Sequence, residues 1–181
     1  PVLLVVPGVV GHHPSPTKPV ARYEEALHLA YESLCELCHD AEQCGVVIGV
    51  ENVWNQFLLS PVEMRDFVDR INSPWVAVYL DVGNVLRYGL PQDWIDTLGG
   101  RVVRVHVKDL KLAVPGKSGL CPLGEGDVDW PAVMSALKRQ RYEGPLIYEG
   151  RGELFAVRYQ IDRLFVANKS CDRTGVQGES V

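Results

Sequence analysis

The sequence predicts an α/β protein built on parallel strands, and three observations carry that expectation. Short runs rich in Val, Ile, Leu and Tyr recur along the chain, amphipathic stretches separate them, and the two kinds of segment alternate. The strand candidates are Val2–Val6, Val46–Val50, Val76–Leu80, Val102–Val107 and Leu146–Tyr148. Their apolar runs are nearly continuous, as expected of strands covered on both faces.

The helices follow in order. From Ala21 to about Gln43, apolar residues at Ala26, Leu27, Leu29, Ala30, Leu34, Leu37 and Ala41 keep a helical spacing that ends at Gly45, a C-cap residue. Ser60-Pro61-Val62-Glu63 opens the next helix with an N-cap Ser, Pro at the first position and Glu three residues after the Ser; it runs to about Ile71. Pro91–Leu98 is a short helix closed by Gly99-Gly100. Asp129 caps another that ends near Gln140, and a last helix spans about Leu154 to Val166. The polar tail, residues 167–181, is expected to be disordered or frayed.

Strand and helix thus alternate in five units, which argues for a parallel sheet with right-handed crossovers. A doubly wound open sheet and part of a (β/α)8 barrel both fit this order. A whole barrel takes roughly 250 residues, so 181 residues fall short of one. The chain is long enough for one domain with a sizeable core.

Composition narrows the function classes. A net charge of −5 argues against a broad nucleic-acid surface, which needs clustered Lys and Arg. No apolar run reaches the roughly 20 residues that span a bilayer. The opening, Pro1 to Gly8, lacks the basic region and cleavage site of a signal peptide and reads as a buried strand. Five cysteines form an odd set without framework spacing, and Cys35-Glu36-Leu37-Cys38 lies inside a helical pattern. Buried or half-buried helix thiols in a reducing, cytoplasmic compartment are the expected reading.

The informative feature is what stands at the end of each strand. Val50-Glu51-Asn52, Leu80-Asp81-Val82-Gly83-Asn84, His106-Val107-Lys108-Asp109 and Tyr148-Glu149-Gly150-Arg151 place an acid or a His at four successive carboxyl edges. A lone acid after a strand is usually a cap or a salt-bridge partner, and a lone His is usually a satisfied core residue. Four together on consecutive strands are different. In a barrel those edges converge on one face, where Glu51, Asp81, His106 and Glu149 would share a pocket. Three carboxylates and an imidazole suit a divalent metal ion such as Mn²⁺, Mg²⁺, Co²⁺ or Zn²⁺, and without a cation they would repel.

These motifs, with Gly124-Glu125-Gly126 and Val128-Asp129-Trp130, resemble the sugar-phosphate isomerase/epimerase family, the xylose-isomerase-like TIM barrels. Within it the chain looks most like the 3-epimerases of L-xylulose or L-ribulose 5-phosphate. The resemblance runs from about Val2 to Phe165. It implies a (β/α)8 barrel of which this chain covers strands four to eight, with residues 1–166 as the partial barrel and the N-terminal part missing. An open sheet of this kind would expose its edges, which pairing into a homo-oligomer would cover.

The resemblance also implies roles. Glu51, Asp81, His106 and Glu149 would be the metal ligands, and Glu51 and Glu149 the acid/base pair on opposite faces of a bound ketose. A metal on the C2 carbonyl and C3 hydroxyl acidifies the C3 proton and stabilises an enediolate. One carboxylate removes the proton and the other returns one from the far side, inverting C3; moving it between neighbouring carbons would isomerise the sugar instead. Related free-ketose epimerases often carry His where this chain has Asn84 and Arg where it has Leu112, so Asn84 and Lys108 fit a phosphorylated sugar better. Trp54, just past Glu51, and Glu125 complete the candidate contacts, Gly124-Glu125-Gly126 reading either as a mobile loop near substrate or as a plain turn before the Asp129 cap. Asn52 and Asn55 either orient Glu51 or satisfy loop backbone, and His12-His13 are expected in a solvated loop.

Other readings remain at this point. The same barrel could serve a keto-inositol dehydratase type of lyase. Cleavage of abasic DNA would need more His ligands than are present. A non-catalytic half-barrel that binds metal or a partner is a further class. A dinucleotide fold is weak, because Gly8 and Gly11 do not make the phosphate-binding fingerprint.

Overall fold

A computed structural model describes residues 1–11, 20–112, 119–150 and 154–166. His12, His13, Arg151 and the tail 167–181 lie outside the described residues. Five strands form one sheet in the order β1 (Val2–Val5), β2 (Val47–Glu51), β3 (Val76–Asp81), β4 (Val102–Val107) and β7 (Leu146–Tyr148). Every neighbouring pair in it is parallel, as the alternation of strand and helix requires. It is a partial barrel.

β3 is the centre, with all six residues buried, which is why its sequence is an unbroken apolar run up to Asp81. Its pairing with β4 is irregular. Val78 pairs with Val102 but Tyr79 pairs with Arg104, so Val103 is an extra residue in β4. From there Leu80 faces Val105 and Asp81 faces His106. The bulge therefore decides which β4 side chain shares the Asp81 side of the sheet.

The helices form where local chemistry favours them. α1 (Tyr23–Cys44) buries Ala26, Ala30, Leu34 and Ala41 along one stripe, and Gly45 ends it in the left-handed conformation at φ 62°, donating to Ala41 and Glu42 carbonyls. α2 (Pro61–Ile71) has a reciprocal cap: Ser60 Oγ accepts from Glu63 N–H at 3.1 Å, and Glu63 Oε2 accepts from Leu59 N–H at 2.8 Å. α4 (Pro91–Leu98) buries Trp94, Ile95 and Leu98. α5 (Trp130–Arg139) starts at Asp129, whose side chain accepts from Ala132 N–H, and buries Trp130, Val133, Ala136 and Leu137. All these apolar faces join one core.

Three features depart from the sequence expectation. Asp81 caps a single helical turn, α3 (Val82–Val85), too short to show a period. A small antiparallel ribbon, β5 (Asp109–Leu110) with β6 (Leu120–Cys121), follows β4. The final helix is α-helical only over α6 (Leu154–Ile161) and continues as a wider π turn over Asp162–Val166. Among the described residues no helix is long and apolar enough to cross a membrane.

Candidate metal and active site

Glu51 ends β2, Asp81 ends β3, His106 is the penultimate residue of β4 and Glu149 follows β7 directly. Each offers one ligand atom, and these atoms all lie within 4.8 Å of one another. The sheet brings the four predicted residues together because parallel strands in this register end at a common edge.

The contacts inside the group are close. His106 Nδ1 lies 2.7 Å from Glu51 Oε1, 3.4 Å from Glu149 Oε2 and 3.7 Å from Asp81 Oδ2. Tyr79 packs against the imidazole with ring centroids 4.4 Å apart. Lys108 Nζ sits 2.9 Å from both Asp81 Oδ2 and Glu149 Oε2. The Asp81 side chain has no exposure, whereas that of Glu149 is 51% exposed.

Asp81 is oriented by its own oxygens. Oδ1 accepts the Asn84 N–H at 2.7 Å, which fixes the carboxyl plane. Oδ2 is buried, and its nearest cation is the Lys108 ammonium at 2.9 Å. The same oxygen stands 3.7 Å from His106 Nδ1, within the group of ligand atoms. Oxygen and imidazole donors of this kind suit a hard or borderline divalent cation. The residues fit such an ion.

The electrostatics agree with that donor set. Burial pushes the Asp81 carboxyl up to about 7, although Lys108 and the Asn84 N–H pull the other way. Burial would lower the His106 pKa, but the Glu51 bond and the charges of Glu51, Asp81 and Glu149 raise it overall. Lys108 is likewise opposed by burial and raised by Asp81 and Glu149. Burial opposes the ionised form of Glu149, and the Lys108 hydrogen bond nevertheless holds its pKa below the usual value. A net excess of negative charge is thus offset only in part by the chain's own cations.

The surrounding residues divide by what they touch. Asn52 locks β2 to β3: its Nδ2 donates to the Asp81 carbonyl at 3.0 Å and its Oδ1 accepts the Asp81 N–H at 2.8 Å. Asn84 Nδ2 donates to the Asn52 carbonyl at 2.9 Å, so this candidate contact also ties the strand ends together. Asn55 satisfies loop backbone, donating to the Gly8 carbonyl and accepting from Phe57 N–H. Neither Asn52 nor Asn55 bonds to the Glu51 side chain through these contacts. Trp54 donates to the Asn84 carbonyl at 3.3 Å, and the Arg87 guanidinium lies 3.9 Å above its ring. Glu125 is exposed on a turn, its N–H bonded to the Pro122 carbonyl.

Asp109 was not foreseen as important. It is fully buried, and its carboxylate accepts from the N–H groups of Leu110, Gly124, Gly126 and Val128 and from Trp130 Nε1. A side chain at Gly126 would collide with that carboxylate. Its signal in the sequence is its place in His106-Val107-Lys108-Asp109, with the Gly124-Glu125-Gly126 turn downstream.

Residues 1–166 match the xylose isomerase-like TIM barrel family. The chain belongs to that family. It is 31% identical over 119 residues to the L-ribulose-5-phosphate 3-epimerase UlaE of Escherichia coli, a match covering 65% of this chain and 41% of that protein. The UlaE of Salmonella paratyphi A is 30% identical over the same shares. The chain therefore spans less than half the length of these curated relatives. A D-tagatose 3-epimerase-like protein superposes with a TM-score of 0.75 at 22% identity, over 94% of this chain and 63% of that one. The 3-keto-D-glucoside 4-epimerase YcjR of Escherichia coli gives 0.73 at 17% identity, over 91% and 63%. At these identities the superpositions speak for the fold.

Proposed function

We propose that residues 1–166 carry the catalytic face of a metal-dependent epimerase or isomerase acting on a ketose or ketose phosphate. The observation that carries this reading is the convergence of four ligand atoms within 4.8 Å at one strand edge. Glu51, Asp81, His106 and Glu149 would hold the ion, whether Mn²⁺, Mg²⁺, Co²⁺ or Zn²⁺. When bound, it supplies polarisation of a substrate carbonyl and hydroxyl.

The chain's own groups do the proton work. Glu51 is held from within the sheet by His106, and Glu149 stands on the exposed side. Two carboxylates on different sides of a sugar carbon can remove a proton from one face and return one to the other. Inversion at C3 follows when both act on the same carbon. Lys108, Asn84, Trp54 and Glu125 are the proposed substrate contacts, and the Lys108 ammonium touches two of the proposed ligands. The similarity to L-ribulose-5-phosphate 3-epimerases favours a phosphorylated pentose. A cytoplasmic setting accords with Cys35, Cys38, Cys44 and Cys121 being unpaired thiols.

The test begins with Mn²⁺ calorimetry on the chain, beside an Asp81→Asn/His106→Ala double variant. One-site binding that the double variant lacks is expected. The Mn²⁺-loaded chain is then given L-ribulose 5-phosphate in deuterated water, and deuterium is sought at C3. Metal binding without any C3 label would leave a metal-binding half-barrel in place of an epimerase.

A further inference from the structure

Resting on that site reading, we propose that Lys108 is a built-in counter-ion, seated between two ligand carboxylates and displaced when a divalent cation binds.

The geometry supports this from two directions. Lys108 Nζ lies 2.9 Å from Asp81 Oδ2 and 2.9 Å from Glu149 Oε2. Those are the same two oxygens that face His106 Nδ1 at 3.7 and 3.4 Å. The ammonium therefore stands within the ligand group and not behind it. Its side chain is only 13% exposed, a burial that lysines tolerate when paired with opposite charge.

The second observation lies under the stem. A Cβ at Gly83 would stand 2.5 Å from Lys108 Cγ and 2.9 Å from the Lys108 carbonyl oxygen. Gly83 thus leaves the corridor through which the lysine reaches inward. Its φ is not in the left-handed region, so its lack of a side chain matters here for space.

One oxygen cannot serve an ammonium and a divalent ion equally, because the two cations repel at such separations. The lysine holds Asp81 and Glu149 together in the metal-free chain, and it must give way for both to become ligands. Its flexible four-carbon stem lets the ammonium swing toward the exposed Glu149 side, where the oxygens of a sugar would arrive. Metal binding and release of Lys108 to the substrate side are then one event.

The experiment compares wild type with Lys108→Met in Mn²⁺ calorimetry and in thermal unfolding without metal. The expected result has opposite signs. The variant binds Mn²⁺ about tenfold tighter, on the scale by which neighbours of metal ligands change affinity, yet its metal-free form melts at a lower temperature. Lys108→Arg, which keeps the charge, shows no tightening. Equal or weaker binding by folded Lys108→Met, with wild type binding normally, overturns this inference alone. Absence of Mn²⁺ binding by wild type overturns the site reading and this inference with it. Should Lys108→Met not fold, the Lys108 Cε resonance of ¹³C-lysine-labelled wild type is followed as Mg²⁺ is added. A shift that saturates with binding supports displacement, and an unmoved resonance with the ion bound overturns it.

Discussion

Asp81 stands directly opposite His106 across β3 and β4 because Val103 is an extra residue in β4. Without it, Asp81 would face Val105, whose side chain is buried in the core. Opposed residues of parallel strands send their side chains to the same face, so one inserted residue puts an imidazole beside a carboxylate.

Asp81→Asn removes the charge of that carboxylate and keeps its backbone cap, while Lys108 retains Glu149 as a partner. The amide oxygen still accepts the Asn84 N–H, so the turn Val82–Val85 keeps its cap. Mn²⁺ binding should fall by at least about a hundredfold, read by calorimetry. Above about pH 7 the metal-free variant should melt at the same temperature or higher, since burial disfavours the ionised carboxyl that Asn replaces. Retained affinity would take Asp81 out of the ligand set.

The pH dependence follows from the sign of the Asp81 shift. Its folded pKa is raised to about 7 from 3.8, so the folded chain holds the proton more tightly than the unfolded chain. The resulting stability is present in full below about pH 4 and is lost as pH rises through about 7. The stability of Asp81→Asn relative to metal-free wild type should therefore grow across that window. Denaturant titrations of both proteins from pH 4 to 8 measure it, and a constant difference would count against the raised value. Mn²⁺ affinity of wild type should rise over the same window, because the ligands must lose protons to bind.

Asn52→Ala removes both bonds to the Asp81 backbone. It leaves a buried N–H and a buried carbonyl without this partner, at a cost of about 1 to 3 kcal/mol each. Urea unfolding should show a loss within or somewhat below that sum, together with weaker Mn²⁺ binding as Asp81 drifts. A change under about 0.5 kcal/mol, typical of surface positions, would contradict the lock.

Asp109→Ala should be among the most damaging single changes. Five donors lose their common acceptor, and breaking a buried charged network costs about 3 to 5 kcal/mol. Asp109→Asn keeps one good acceptor and should fall between wild type and Ala in chemical denaturation.

The scaffold was readable because its signals are local. Val76–Asp81 is an unbroken apolar run, Ser60 and Asp129 cap their helices through residues three positions on, and Gly45 ends α1 in the conformation glycine favours. The four residues of the candidate site were readable for the same reason, each sitting at the end of such a run. Other features depend on pairing between segments. The Val103 bulge exists only in relation to β3, and the Asn52 lock only once β2 and β3 are neighbours. Lys108 could be read as a substrate contact, but its seat over Gly83 follows from the packed βα loops. Asp109 gave the weakest signal, because its donors are spread from Leu110 to Trp130.

That spread has a consequence for how such a chain can change over evolutionary time. Asp109 pins Gly124, Gly126, Val128 and Trp130 to the end of β4, while the ribbon joins Leu110 to Leu120. A substitution at any of these positions would be felt at the others, because they share one acceptor. Residues 109–130 should accordingly drift in concert, a change at one anchored position calling for an answering change at another.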